Sequence, residues 1–157
     1  MGDFFVRRDT RAKKATGENA TMKNDSLITR TTNEPLDAVC RRLPEVAQKH
    51  KFGVLGTHDL KEKMQSKGVP FDRECRVFEV CNPQQAQAVL TQSIEISTAL
   101  PCRISVYEEG GKTVLATIKP TKLLDMFSAP EATATAREVE ETMIRIMDET
   151  AERARQS

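Results

Sequence analysis

The sequence predicts a two-layer α+β fold, with a mixed, mainly antiparallel sheet and helices packed on one face. Three observations lead there. Short β-rich runs alternate with stretches of helical spacing; Gly110-Gly111 between two such runs marks a hairpin, and so an antiparallel pair; and an amphipathic helix follows near the C-terminus. A chain of 157 residues suits one core rather than two. The expected organisation is a disordered basic tail over 1–25 and a single domain over 26–155.

Residues 1–25 are polar, basic and without period, and Arg7, Arg8, Arg11, Lys13 and Lys14 read as a solvated cluster. Met22 is a candidate natural start. SLITRTT (26–32) is the first strand. Asn33 is a candidate cap for a helix bearing Leu36, Val39, Cys40, Leu43, Val46 and Ala47, which Pro44 should kink or divide. FGVLGTH (52–58) is a second strand, and 59–68 a short helix ended by Gly68. RECRVFEVC (73–81) alternates as a strand, with Phe78 and Val80 on one face and Val77, Glu79 and Cys81 on the other. Asn82 then caps a helix, Pro83 opens it, and Gln85 closes a capping box.

Residues 93–99 read as a connector, 100–108 and 112–118 as the two hairpin strands. Ser128 to Glu131 matches a second capping box. It opens a long helix with Val139, Met143, Ile146, Met147 and Ala151 on one stripe.

Composition removes several function classes. Hydrophobic residues are 38% and charged residues 30%, with a formal charge of +1, so no nucleic acid or acidic membrane is expected as a partner. Aromatics amount to six Phe and one Tyr, too few for a base-stacking platform. No apolar run reaches the roughly 20 residues that span a bilayer. The first residues offer only Phe4, Phe5 and Val6 towards a signal peptide, so a cytoplasmic, reducing setting is expected. Four cysteines (Cys40, Cys75, Cys81, Cys102) show no CxxC spacing and no neighbouring His, which gives no support to a zinc ribbon or thioredoxin motif. His50 and His58 are the only histidines, so no Ser-His-Asp set can be assembled. His58 reads as the start of a helix. The sequence names no cofactor and no reaction.

VCNPQQAQAVL, ALPCRISVYE and the helix around AREVEETM together resemble the domain-of-unknown-function family DUF302, from about residue 27 to 150. The likeness is sharpest in Cys81-Asn82-Pro83 and Leu100-Pro101-Cys102. It implies a compact α+β domain, commonly a homodimer, without an established activity. It also places Cys81 and Cys102 in one pattern and leaves Cys40 and Cys75 outside. Arg103 departs from the Asn that relatives often carry, which would suit a more anionic ligand or a simple surface change.

The candidate site is therefore a thiol-centred pocket of Cys81, Asn82 and Cys102, with Arg103 and Glu79 at its rim. Three chemistries could use it: a thiolate stabilised at a helix mouth, a two-thiolate soft-metal site, or a reversible disulfide or sulfur-carrying pair. Cys75 lies six residues from Cys81, roughly 20 Å along a strand, and cannot join it. Cys81 and Cys102 meet only if their strands are antiparallel neighbours, and strict alternation puts them on opposite faces. The other reading makes both cysteines small core residues of a non-catalytic assembly module. In that reading the sheet or the long helix forms an interface.

Overall fold

The computed structural model describes residues 24–152, so the expected tail lies almost wholly outside the described residues. Among the described residues five strands form one sheet: β1 Leu27–Thr32, β2 Gly53–Asp59, β3 Cys75–Cys81, β4 Cys102–Glu109 and β5 Lys112–Ile118. Their order is β1-β5-β4-β3-β2, and every neighbouring pair is antiparallel. The hairpin turn between β4 and β5 places Gly110 and Gly111 at φ of 58° and 76°, a region where glycine meets no Cβ clash.

Helix α1 (Leu36–Lys49) connects β1 and β2, the two edge strands, by crossing the sheet. It runs unbroken through Pro44. Proline inside a helix costs about 3 kcal/mol. Six apolar residues, Leu36, Val39, Cys40, Leu43, Val46 and Ala47, are buried along the same helix, and a buried Val or Leu contributes roughly 1.5–3 kcal/mol each. Packing wins over the lost hydrogen bond. Asn33 is not the cap either: the residue before the helix is Pro35, with no side-chain cap bond.

Helix α2 (Leu60–Gln65) is shorter than expected, because Asp59 caps it by accepting from the Glu62 amide and Gly68 turns the chain at φ 74°. Helix α3 (Pro83–Gln92) starts where the Asn-Pro pair predicts. The connector after it is a 3-10 helix, Ile94–Ala99, anchored by Ile96 at 1% exposure. After β5 comes a helix that the sequence reading passed over, α4 (Pro120–Leu124). The long helix α5 is Thr133–Ala151. Its expected Ser128 capping box does not form; a 3-10 turn, Pro130–Ala132, leads in instead, with Ala132 fully buried.

One face of the sheet carries the core. Ile28, Phe78, Val80, Ile104, Val106 and Leu115 point to that face and pack with Val39, Leu43 and Val46 of α1 and Met143, Ile146 and Met147 of α5. Arg42 ties the two helices together by donating to the Thr150 carbonyl at 2.6 and 2.9 Å while pairing with Glu34. A smaller apolar cluster, Val89, Ile96 and Ala132 with Leu90, Leu100, Leu124 and Phe127, lies beyond the sheet's end under α3 and α4.

Replacing Leu43, at 0% exposure, by Ala should lower unfolding free energy by about 3 kcal/mol. Leu55→Ala, at a position 65% exposed, should change it by less than about 0.5 kcal/mol. Urea denaturation of the two variants checks the contrast.

Candidate functional site

Antiparallel pairing decides where the two family cysteines go. β3 runs toward the sheet edge that β4 leaves, so Cys81 ends one strand and Cys102 begins its neighbour. Val80 stands directly opposite Cys102, which makes Cys81 the next residue beyond that pair. β2 begins and β5 ends at the same edge, with Gly53 opposite Cys81.

Between this edge, α3, α4 and α5 lies an apolar chamber of about 60 Å³; with its solvent-facing mouth the empty space is about 560 Å³. Cys81, Asn82 and Cys102 all line it. The expected obstacle of alternation is removed because Cys81 is the last strand residue, where the chain turns into α3. The rest of the wall is carbon-rich: Phe52 ahead of β2, Ala86 and Val89 of α3, Leu100 before β4, Leu124 of α4, and Ala136 and Val139 of α5. None of the lining side chains belongs to Asp, Glu, Lys, Arg or His.

Asn82 caps α3, its Oδ1 accepting from the Gln84 and Gln85 amides at 3.1 and 3.2 Å. The reciprocal half of the expected capping box is missing. Gln85 instead lines the chamber, and its Oε1 is buried with no hydrogen-bond partner among the described residues.

Burial, not the helix terminus, governs the thiols. Cys102 is pushed up to about 11, first by desolvation and then by the neighbouring Cys81. Cys81 is also raised, by desolvation. A thiolate stabilised at the mouth of α3 is thus the opposite of what this environment favours. Cys40 is a core residue, raised to about 11 chiefly by burial. Cys75 sits on the sheet's other face, 3.8 Å from the Ser105 hydroxyl. Among the described residues, no three His, Cys, Asp or Glu side chains converge as a metal site.

The two expected rim residues stand elsewhere. Glu79 lies on the face opposite the core, bound to His58 Nε2, while Lys63 Nζ reaches His58 Nδ1 at 2.8 Å. Arg103 faces Glu79 across β3 and β4 on that outer face. It lines a second cavity of about 220 Å³ with Thr98, Pro101, Thr117 and Ile118, which shares Leu100, Cys102 and Leu123 with the first. Sequence reasoning missed the chamber's far walls. Pro120 with Leu123 and Leu124 at helical spacing was the available signal for α4. The His58–Glu79–Lys63 contacts carry no signature in the sequence, since they join β2, β3 and α2.

The sequence profile of the family described as "Domain of unknown function DUF302" matches residues 28–150. A solved structure described as "uncharacterized conserved protein DUF302 from Bacillus stearothermophilus" is 31% identical, with a TM-score of 0.78, over 82% of this chain and 99% of that one. No curated protein matches the chain.

The raised thiols have two measurable consequences. At pH 7.5 both chamber cysteines should alkylate more slowly than free cysteine, and the Cys102 rate should still be climbing near pH 11. Because the folded state holds the Cys102 proton more tightly than the unfolded chain, its contribution to stability is intact below about pH 9. It is lost as pH rises through about 11. Fragment mass spectrometry of iodoacetamide-treated protein, with urea titrations at several alkaline pH values, measures both.

Proposed function

This chain belongs to the DUF302 family, and from that premise we propose that it is a cytoplasmic binding protein whose chamber takes up a small, uncharged, largely apolar molecule. The observation that carries this reading is the lining: an accessible hollow with carbon-rich walls at the strand edge where Cys81, Asn82 and Cys102 meet. A soft metal or a redox cycle at the same pair would need thiolates. Desolvation raises both thiols above the ordinary cysteine range, so in the metal-free protein Cys81 and Cys102 serve as soft, polarisable wall, and a soft metal would have to displace their protons to bind.

A second reading concerns assembly. We infer a homodimer formed through the outer face of the sheet. Across that face run Val77, Ser105, Ala116 and Thr29 in one row, with Cys75, Tyr107, Val114 and Thr31 in the next. α1 and α5 pack on the opposite face; of these rows Val114 and Ala116 are already buried, while Thr29 and Thr31 are exposed and Cys75, Val77, Ser105 and Tyr107 half-buried, and these meet the second copy.

Toluene, titrated into isotope-labelled protein by NMR, should shift resonances of α3, β3 and α5 in a saturable way. Ala136→Leu and Ala86→Leu each place three more carbons in the chamber from different walls, and each should weaken toluene binding at least about tenfold while the spectrum stays native. Absence of any saturable shift in the unmodified protein would sink the binding reading. For the dimer, sedimentation equilibrium should give twice the chain mass at tens of micromolar, and Thr29→Arg, at an exposed position of the same row, should return it to monomer. A monomer at all concentrations removes that reading alone.

A further inference from the structure

We propose that the second cavity is a binding site of its own and takes an organic monocarboxylate, its carboxylate held by Arg103 and its short apolar body packed beside Ile118. The inference goes beyond the chamber reading and does not depend on it.

The cavity has a structural cause. The ladder between β4 and β5 runs from the Glu109/Lys112 pair to the Ser105/Ala116 pair and stops there. Yet β4 stays on β3 as far as Cys102, and β5 stays on β1 as far as Ile118. Two central strands, each held by its outer neighbour, therefore part at their ends. The space of about 220 Å³ is lined by those parted ends, Cys102 and Arg103 on one side and Thr117 and Ile118 on the other. The Thr117 hydroxyl donates to the Arg103 carbonyl at 2.6 Å, a side-chain tie where the backbone ladder has ended. Leu100 and Leu123 line both this space and the chamber, so they divide the two.

Arg103 is the one ionised side chain among the described residues that line it. Two positions along from the Ser105/Ala116 pair, Arg103 and Ile118 share the outer face of the sheet, and both are exposed, Ile118 at 46%. Their row lies one beyond those given above to the second copy, toward the chamber's edge. Glu79 stands directly opposite Arg103, and opposite charges so placed ordinarily pair. Here Glu79 turns the other way, to His58 Nε2 on β2. Lys63 donates to His58 Nδ1, so the ring's proton sits on Nε2 and the ammonium and carboxylate at the two ends of this chain offset each other. Among the described residues the Arg103 guanidinium has neither an ion-pair partner nor an acceptor. No residue of β2 or β3 lines the cavity, which puts it on the side of Arg103 away from Glu79.

The ligand class follows from charge and wall together. A guanidinium offers a planar fork that matches a carboxylate at two points. No carboxylate in the lining repels an anion, and one cation balances one negative charge. A phosphate dianion would bring a second charge into walls made largely of Leu100, Pro101, Ile118 and Leu123, with nothing to compensate it. The same apolar walls suit a hydrocarbon body behind the carboxylate.

The test titrates benzoate, its neutral isostere benzamide, and acetate into isotope-labelled protein by NMR at pH 7. Benzoate should shift the Thr98, Arg103 and Ile118 amides in a saturable way. It should bind at least about tenfold more tightly than benzamide, the ratio a charge-assisted hydrogen bond supplies, and more tightly than acetate. Arg103→Gln should abolish the preference for benzoate, and its amide spectrum should stay native because the position is exposed. Arg41→Gln, which removes an exposed arginine on α1, should leave the preference intact. Benzoate binding no tighter than benzamide or acetate, a preference that survives Arg103→Gln, or shifts confined to α3 and α5 would each overturn the inference. Because toluene reports on the chamber, a protein that binds toluene and ignores benzoate loses this inference alone. One that binds benzoate and ignores toluene keeps it and loses the chamber reading.

Discussion

Val80 faces Cys102 and Phe78 faces Ile104 across β3 and β4, and that register holds the molecule together. With a side-chain period of two, it turns Phe78, Val80, Ile104 and Val106 toward α1 and α5, where each is almost wholly removed from water. A slip by one residue would expose all of them and bury Glu79, Arg103 and Ser105 instead. The helices enforce the register because their own apolar stripes have no other surface to cover: Val39, Leu43, Met143, Ile146 and Met147 are at 0% exposure. The same register puts Cys81 and Cys102 at one edge of the sheet. The position of the site is thus a by-product of core packing.

The chamber exists because two apolar clusters approach that edge and do not close on each other. Val80, Phe52 and Val139 belong to the main core or pack against it, whereas Val89, Leu100 and Leu124 belong to or pack against the smaller cluster beneath α3 and α4. Small residues keep the gap open, since Ala86, Ala99 and Ala136 present single methyl groups where a leucine would fill it. Because the far wall is built on the minor cluster, substitutions there leave the main core intact. α3 itself buries only Val89 fully. Site and fold are in that sense separable.

Much of the fold was legible. Alternation located the strands, Gly110-Gly111 gave the hairpin, and Asn82-Pro83 marked a helix start whose cap bonds are the expected ones. The misses share one cause, local signals overruled by burial elsewhere. Pro44 failed to break α1 because six apolar side chains hold it down. Ser128 failed to cap α5 because the chain turns early to bury Ala132. The candidate site was half legible: Cys81, Asn82 and Cys102 were named together and do line one chamber, but Glu79 and Arg103 were placed at its rim although strand alternation carries them to the outer face. Phe52, Pro120 and Val139 come from segments far apart in sequence, and no pattern along the chain joins them.

Gln85 shows how a correct local rule can conceal a site. The Asn-Pro-x-Gln spacing accounts for Gln85 as half of a cap, and an explained residue invites no further question. In the folded chain the cap closes without it, and its acceptor is left buried without a hydrogen-bond partner among the described residues. An unpartnered buried amide oxygen costs about 1–3 kcal/mol. An unfilled hollow near 60 Å³ adds on the order of 1 kcal/mol. Leucine or methionine at position 85, or leucine at 136, would relieve one cost or the other within the same fold.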